Sequence, residues 1–276
     1  MESLGVKEKL PQPQIEVRQE KSLEFVAKAI KDYEDVGDDE AVFMLALTLD
    51  HPEWKDSILE QIKQHKPHVR NVDKILERLK ENYFSLSWQS QIQSNAEDTV
   101  WWNEHLLEVK TRIINLISYF RPSSNEVAKK VIIIPSDKLL ESKDAGGSFH
   151  VGDTAIIMSH TKNLGNFEHE FLHGIINPIT EEFAGGISEE KIIALASNKL
   201  KKEQGYGDHA LSLLNEELIR TYNEFIENKK SIAVIIDNDL REIVYQLYQR
   251  FNTERSIHSE IKFKDFLARE IGNLFD

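Results

Sequence analysis

Apolar residues recur at helical spacing along most of the chain. From Ser22 onward, Leu23, Val26 and Ile30 follow one another on one side of a helix, at three- and four-residue intervals. The same periodicity predicts further helices at about 39–49, 53–65, 72–95, 97–120, 164–177, 180–202, 208–228, 237–251 and 263–275. Since Pro178 disfavours helical backbone at the residue before it, we expect the helix from 164 to end there.

Three short segments have the pattern of β-strands instead. Ile15–Arg18 alternates, Val131–Ile134 is a β-branched run closed by a proline, and Asp153–Ser159 is a third apolar segment. Gly146 and Gly147, between the last two, predict a flexible flap or a turn. A few strands gathered in one region, rather than alternating with helices, are typical of a helix-rich α+β fold with one small sheet.

Changes in composition and in the pattern of apolar residues divide the chain into three parts. Residues 1–20 are polar and contain two prolines, which predicts a flexible leader. Residues 21–122 form a helical N-terminal region without recognisable chemistry. Residues 123–276 contain the later strands and the chemistry-bearing motif. The two regions are long enough to form separate domains or one integrated domain.

Composition and charge exclude several classes of function. The formal net charge is -13, with a pI near 5.3, so a nucleic-acid partner is not expected because such proteins present a basic face. The absence of cysteine excludes disulfides, thiolate zinc ligands and cysteine nucleophiles. Neither a secretory signal nor a run of about 20 apolar residues is present, so we expect a cytoplasmic protein without a membrane partner.

The segment that carries chemistry is HEFLH, residues 169–173, which has the form H-E-x-x-H. On a helix, His169 and His173 lie one turn apart on the same face, so both imidazoles can bind one zinc ion. Glu170 is rotated by roughly 100° from His169 and can reach a water on that ion without being a ligand. Such an ion lowers the pKa of its bound water to about 7, which makes Glu170 the candidate general base.

A catalytic zinc ion needs a third protein ligand. In the metzincin class this would be a histidine at position 179, where this chain has Ile179, so that class is excluded. The other common solution is a glutamate on a later helix, and the segment LLNEELIR at 213–220 supplies two, Glu216 and Glu217. The apolar stripe of this predicted helix places Glu217 nearer the buried face.

These motifs resemble the gluzincin class of zinc metallopeptidases, which combine H-E-x-x-H with a downstream glutamate. The longer patterns, HEFLHGIINP and NEELIR, are similar to an uncharacterised, mainly bacterial family of zincin-like proteins, over about residues 131–225. The resemblance implies a zincin-like core, one Zn²⁺ ion bound by His169, His173 and Glu216, and Glu170 as catalytic base. We therefore take Glu216 as the third ligand, although the helical pattern favours Glu217.

The chain departs from the thermolysin type at Arg220. In proteins of the thermolysin type, an acidic residue four positions after the ligand glutamate accepts a hydrogen bond from a ligand histidine and so orients it. An arginine at this position cannot accept the imidazole N–H. We expect the acceptor to be Asn177 or a backbone carbonyl. Tyr206 and His209 are candidates for stabilising the transition state, with an ordinary helix start capped by Asp208 as the simpler interpretation.

The sequence therefore predicts a zinc-dependent metallopeptidase acting on a peptide or protein substrate. A non-peptidase zinc hydrolase and an inactive zincin-like scaffold are the alternatives. In zincins an edge strand pairs with an extended substrate, and Asp153–Ser159 is the candidate here, with an ordinary interior strand as the alternative.

Overall fold

The computed structural model describes residues 10–85, 96–135, 146–159, 162–197, 201, 209–227 and 239–273. The α-helices are α1 (Lys21–Ala29), α2 (Asp39–Asp50), α3 (Lys55–His65), α4 (Val72–Tyr83), α5 (Ala96–Glu104), α6 (Leu106–Phe120), α7 (Leu164–Glu182), α8 (Glu189–Leu195), α9 (Ala210–Glu227), α10 (Asp239–Ile257) and α11 (Phe263–Glu270). The strands are β1 (Gln14–Val17), β2 (Lys130–Pro135), β3 (Gly146–Val151) and β4 (Thr154–Ser159). This confirms the expected helix-rich α+β class.

The four strands form one mixed sheet in the order β1-β2-β4-β3. β1 pairs in parallel with β2, and β2 in parallel with β4, with Val131 opposite Ala155. β3 runs antiparallel to β4, with Phe149 opposite Ile156. The expectation of a flap or turn at Gly146 and Gly147 is wrong, because both glycines begin β3.

The described residues form two compact units, whose division falls inside α6 and α7. The sheet unit comprises described residues of 13–111 and 128–170, and the helical unit those of 10–12, 112–127 and 171–273. None of the helices in the described ranges is long and apolar enough to span a membrane.

The core of the sheet unit is built around α2. Every residue of this helix from Ala41 to Thr48 is buried, which matches its apolar composition on all sides. The helix packs against α1, α3 and α4. Ile132, Ile156 and Met158 of the sheet belong to the same buried cluster. The N-terminal helices and the sheet therefore share one hydrophobic core.

The helical unit is centred on a cluster of aromatic side chains. Phe120, Tyr248 and Phe263, from α6, α10 and α11, are buried and in mutual ring contact. The Tyr248 hydroxyl donates to the Leu218 carbonyl of α9 at 3.0 Å. Because a buried phenol needs such a partner, this bond fixes α10 against α9.

The helix α7 begins and ends differently from expectation. The side chain of Asn163 accepts a hydrogen bond from the Gly165 amide at 2.8 Å, which caps the first turn. The helix does not end before Pro178 but continues to Glu182. Pro178 is on the exposed side, while Ile176 and Ile179 remain buried. Burial of this apolar face on both sides of the proline outweighs the loss of one backbone hydrogen bond.

Candidate metal centre

Helix α7 presents the two histidines of the H-E-x-x-H motif. Phe167, Phe171 and Leu172 are buried, and they fix the orientation of this part of the helix. His169 and His173, one turn apart, remain half-buried. Neither side chain is enclosed in the core that the apolar face of the helix forms.

Helix α9 brings the third group to these histidines. A ring nitrogen of His169, one of His173 and a carboxylate oxygen of Glu216 all lie within 4.8 Å of one another. Glu216 is only 1% exposed, and its Oε2 is 3.6 Å from His173 Nε2. We call these three side chains the His/His/Glu group. The structure thus brings together the three residues predicted as metal ligands.

The donor set and its spacing fit a zinc ion. Tetrahedral ligands at about 2.1 Å from zinc lie about 3.4 Å from each other, so the His173–Glu216 distance needs little adjustment. Two imidazoles and one carboxylate are a ligand set found in catalytic zinc sites. A fourth position then remains for water or substrate.

The neighbouring carboxylate, Glu217, has a different role. Although it is also 1% exposed, its Oε2 accepts a hydrogen bond from Arg241 Nε of α10 at 3.0 Å. The same guanidinium contacts Glu224 at 3.2 Å. The apolar stripe of the helix correctly predicts that Glu217 is buried, and the ion pair with Arg241 offsets the cost of burying its charge. Glu217 lies outside the His/His/Glu group.

Asn177 supports His173 from within α7. Its Oδ1 lies 3.3 Å from His173 Nδ1, as expected for the acceptor that replaces the missing acidic residue. An amide oxygen only accepts, so Nδ1 carries the proton of this hydrogen bond, and in the neutral ring the lone pair is then on Nε2, which faces Glu216. That is the tautomer that a metal ion needs.

A buried hydrogen bond links α7 and α9, the two helices that carry the His/His/Glu group. The hydroxyl of Thr180 on α7 donates to Oδ1 of Asn215 on α9, at 2.5 Å. Thr180 is fully buried and Asn215 nearly so. Because Asn215 immediately precedes Glu216, the bond sets the position of the Glu216 carboxylate along α7. Thr180 was not among the predicted site residues; the signal that could have pointed to it is a polar residue on the buried face of an apolar helix.

Arg220, the departure from the thermolysin pattern, contacts Glu216, the glutamate predicted as a ligand. Its Nε donates to Glu216 Oε1 at 2.5 Å, across one turn of α9. The two oxygens of Glu216 therefore face different groups, Oε1 the guanidinium and Oε2 the imidazole of His173. Arg220 therefore contacts the carboxylate of the His/His/Glu group rather than one of its histidines.

The other residues that the sequence predicts for the site are Glu170, Tyr206, Asp208 and His209. Glu170 is half-buried and follows His169 directly on α7, as the general base must. His209 is exposed at the start of α9, where its carbonyl accepts from the Leu213 amide. Tyr206 and Asp208 lie outside the described residues.

The strand expected to bind substrate is not an edge strand. β4 pairs with β2 on one side and with β3 on the other, so the expectation that Asp153–Ser159 pairs with a substrate backbone is wrong. The outer neighbour is β3, and there the Gln61 side chain of α3 bonds to both the N–H and the C=O of His150. Burial lowers the pKa of the His150 imidazole.

Comparisons with known proteins give no match: no family model matches the chain, nor does any curated protein or solved structure. The functional interpretation is therefore based on the geometry of the His/His/Glu group.

Proposed function

We propose that this protein is a zinc-dependent metallopeptidase with a gluzincin-like, zincin-type core. The observation that carries the proposal is the His/His/Glu group, in which three ligand atoms from α7 and α9 lie within 4.8 Å of one another. The residues that supply these atoms span positions 169 to 216 of the chain, and the carboxylate of Glu216 is only 1% exposed. Arg220 contacts Oε1 of this buried carboxylate, and Oε2 faces the His173 ring at 3.6 Å, so the position of Oε2 beside the imidazoles favours a cation site there.

The chemistry assigned to the chain follows from its residue types. Zinc bound by His169, His173 and Glu216 would supply a Lewis acid that polarises a carbonyl and makes water acidic enough to attack near neutral pH. Glu170 accepts the proton that the attacking water loses and passes it to the leaving amine. Asn177 holds the His173 ring in the binding tautomer. An amide bond is the substrate suited to this arrangement, so we propose a peptide or protein substrate.

The substitution Glu170→Gln tests this proposal because it removes the base and keeps the shape. We expect about one zinc per chain in both the original protein and the variant, by elemental analysis. Cleavage of a mixed peptide library should fall at least about 100-fold in the variant, the usual size of a general-base contribution.

Glu181→Gln is the matched control, since Glu181 is an exposed glutamate on the same helix. It should keep both the zinc and the cleavage. Absence of zinc in the original protein, or equal cleavage by Glu170→Gln, would contradict the proposal. Stoichiometric zinc with no hydrolysis of any amide would instead support an inactive scaffold.

A further inference from the structure

The two carboxylate oxygens of Glu216 face different groups, the His173 imidazole and the Arg220 guanidinium. Its Oε2 lies 3.6 Å from His173 Nε2, within the His/His/Glu group. Its Oε1 contacts the guanidinium of Arg220, whose side chain is 29% exposed. The carboxylate itself is 1% exposed.

This arrangement has different consequences with and without a metal ion. Without an ion, a buried carboxylate loses its hydration, and a charged hydrogen bond to arginine offsets part of that loss. With a divalent cation bound, the guanidinium becomes a like charge close to the ion and still occupies one of the two oxygens. The same side chain therefore stabilises the metal-free protein and opposes the metal.

We propose that Arg220 is a resident counter-ion that holds Glu216 in place before metal binding and lowers the affinity of the site for zinc. The proposal rests on the zinc site of the proposed function. It makes Arg220 a positioning residue, which restricts Glu216 to binding zinc through one oxygen. The benefit is a preformed site, and the cost is weaker metal retention.

The adjacent pair on α9 provides a matched comparison. Glu217 is as deeply buried as Glu216 and is bonded to Arg241, but it lies outside the His/His/Glu group. Loss of either arginine leaves a buried carboxylate without its guanidinium. Only the loss of Arg220 should change metal binding.

The experiment measures zinc affinity by competition with a chromophoric chelator, for Arg220→Met and Arg241→Met. We expect Arg220→Met to bind zinc about tenfold more tightly, a coupling of the usual size between two sites. Arg241→Met should stay within about twofold of the original affinity. Both variants should melt at lower temperature than the original protein when metal-free.

Two further measurements separate the charge of Arg220 from a purely structural role. Arg220→Gln keeps an N–H donor for Glu216 but removes the charge, so its zinc affinity should rise as in Arg220→Met. The same variant provides the test if Arg220→Met does not fold. With Co²⁺ in place of zinc, the visible absorption should weaken in Arg220→Met, because Glu216 can then bind through both oxygens and raise the coordination number.

The outcomes also distinguish this proposal from the proposed function. If the original protein binds zinc and both Arg220 variants bind it equally or more weakly, the counter-ion proposal is overturned while the zinc site stands. If the original protein binds no zinc, both are overturned.

Discussion

At the scale of single residues, the site depends on which atom of each side chain faces which partner. His173 uses Nδ1 for Asn177 and Nε2 for the group that contains Glu216. Each ring nitrogen thus has its own partner, and in the neutral ring a proton held on Nδ1 leaves Nε2 as the nitrogen that can bind a metal ion. Support of this kind should be measurable as metal affinity.

Asn177→Ala should weaken zinc binding about 10- to 100-fold, because the His173 ring loses the acceptor that fixes its tautomer and orientation. The measurement is competition with a chelator at constant pH. Asn177→Asp restores an acceptor at the same position and should recover most of the affinity. Unchanged affinity in the alanine variant would show that Asn177 does not support the ligand.

The residue-scale predictions differ in how far the sequence could support them. His169, Glu170 and His173 follow from the helical period alone, because spacing on one helix determines which side chains share a face. The choice between Glu216 and Glu217 does not, since both are buried in the structure. The difference is Arg241, which is distant in sequence and reaches Glu217 from another helix.

At the scale of elements, a helix or strand is held by contacts that its own pattern does not show. Pro178 predicts a helix end, yet α7 passes through it because the apolar face stays buried on both sides. Gly146 and Gly147 predict a turn, yet they pair with β4 in a strand. In both cases tertiary packing overrides a local signal. Strand order was equally inaccessible, since pairing joins segments that are far apart in sequence.

The first strand makes an ionic contact that should depend on pH. Glu16 of β1 contacts Lys130 of β2, and also Arg18. Hydrogen bonds from Arg18 and Lys130 lower the pKa of the Glu16 carboxyl to about 2. Because the folded-state pKa is below the unfolded one, its stabilisation is present above about pH 4.5 and is lost as the pH falls toward 2.

Glu16→Gln should therefore lower the free energy of unfolding near neutral pH by less than about 1 kcal/mol, since the carboxyl is partly exposed. The gap between the two proteins should narrow at about pH 3, as measured by urea denaturation. Glu34→Gln, at an exposed position, is the control and should show little gap at either pH. A gap that does not change with pH would contradict this assignment.

At the scale of the whole molecule, each compact unit has its own core. The sheet unit is organised around the fully buried α2, and the helical unit around rings from α6, α10 and α11. The helical N-terminal region was predicted to carry no recognisable chemistry, and in the structure its helices supply the core on which the sheet packs. The predicted domain boundaries stay a prediction.

Zinc should stabilise the folded protein, because the His/His/Glu group does not exist in the unfolded chain. At a free concentration 100 times the dissociation constant the gain is about 2.7 kcal/mol, which corresponds to a melting temperature roughly 5–10 °C higher. The measurement compares thermal unfolding with zinc and with a chelator.

His173→Ala should abolish this shift, while His258→Ala, exposed just after α10, should retain it. An equal shift in both variants would mean that zinc acts elsewhere on the protein.

The side chain of Gln61 has a consequence for how copies of this protein behave together in solution. Its amide occupies the backbone groups of His150 on the outer side of β3, where an exposed strand would otherwise recruit further strands. Because Gln61 belongs to the same chain, its amide binds the His150 backbone without the translational entropy that a separate strand would lose on pairing there. At this edge of the sheet, Gln61 therefore hinders the addition of a further strand at His150, although β3 itself contains neither a lysine nor a proline.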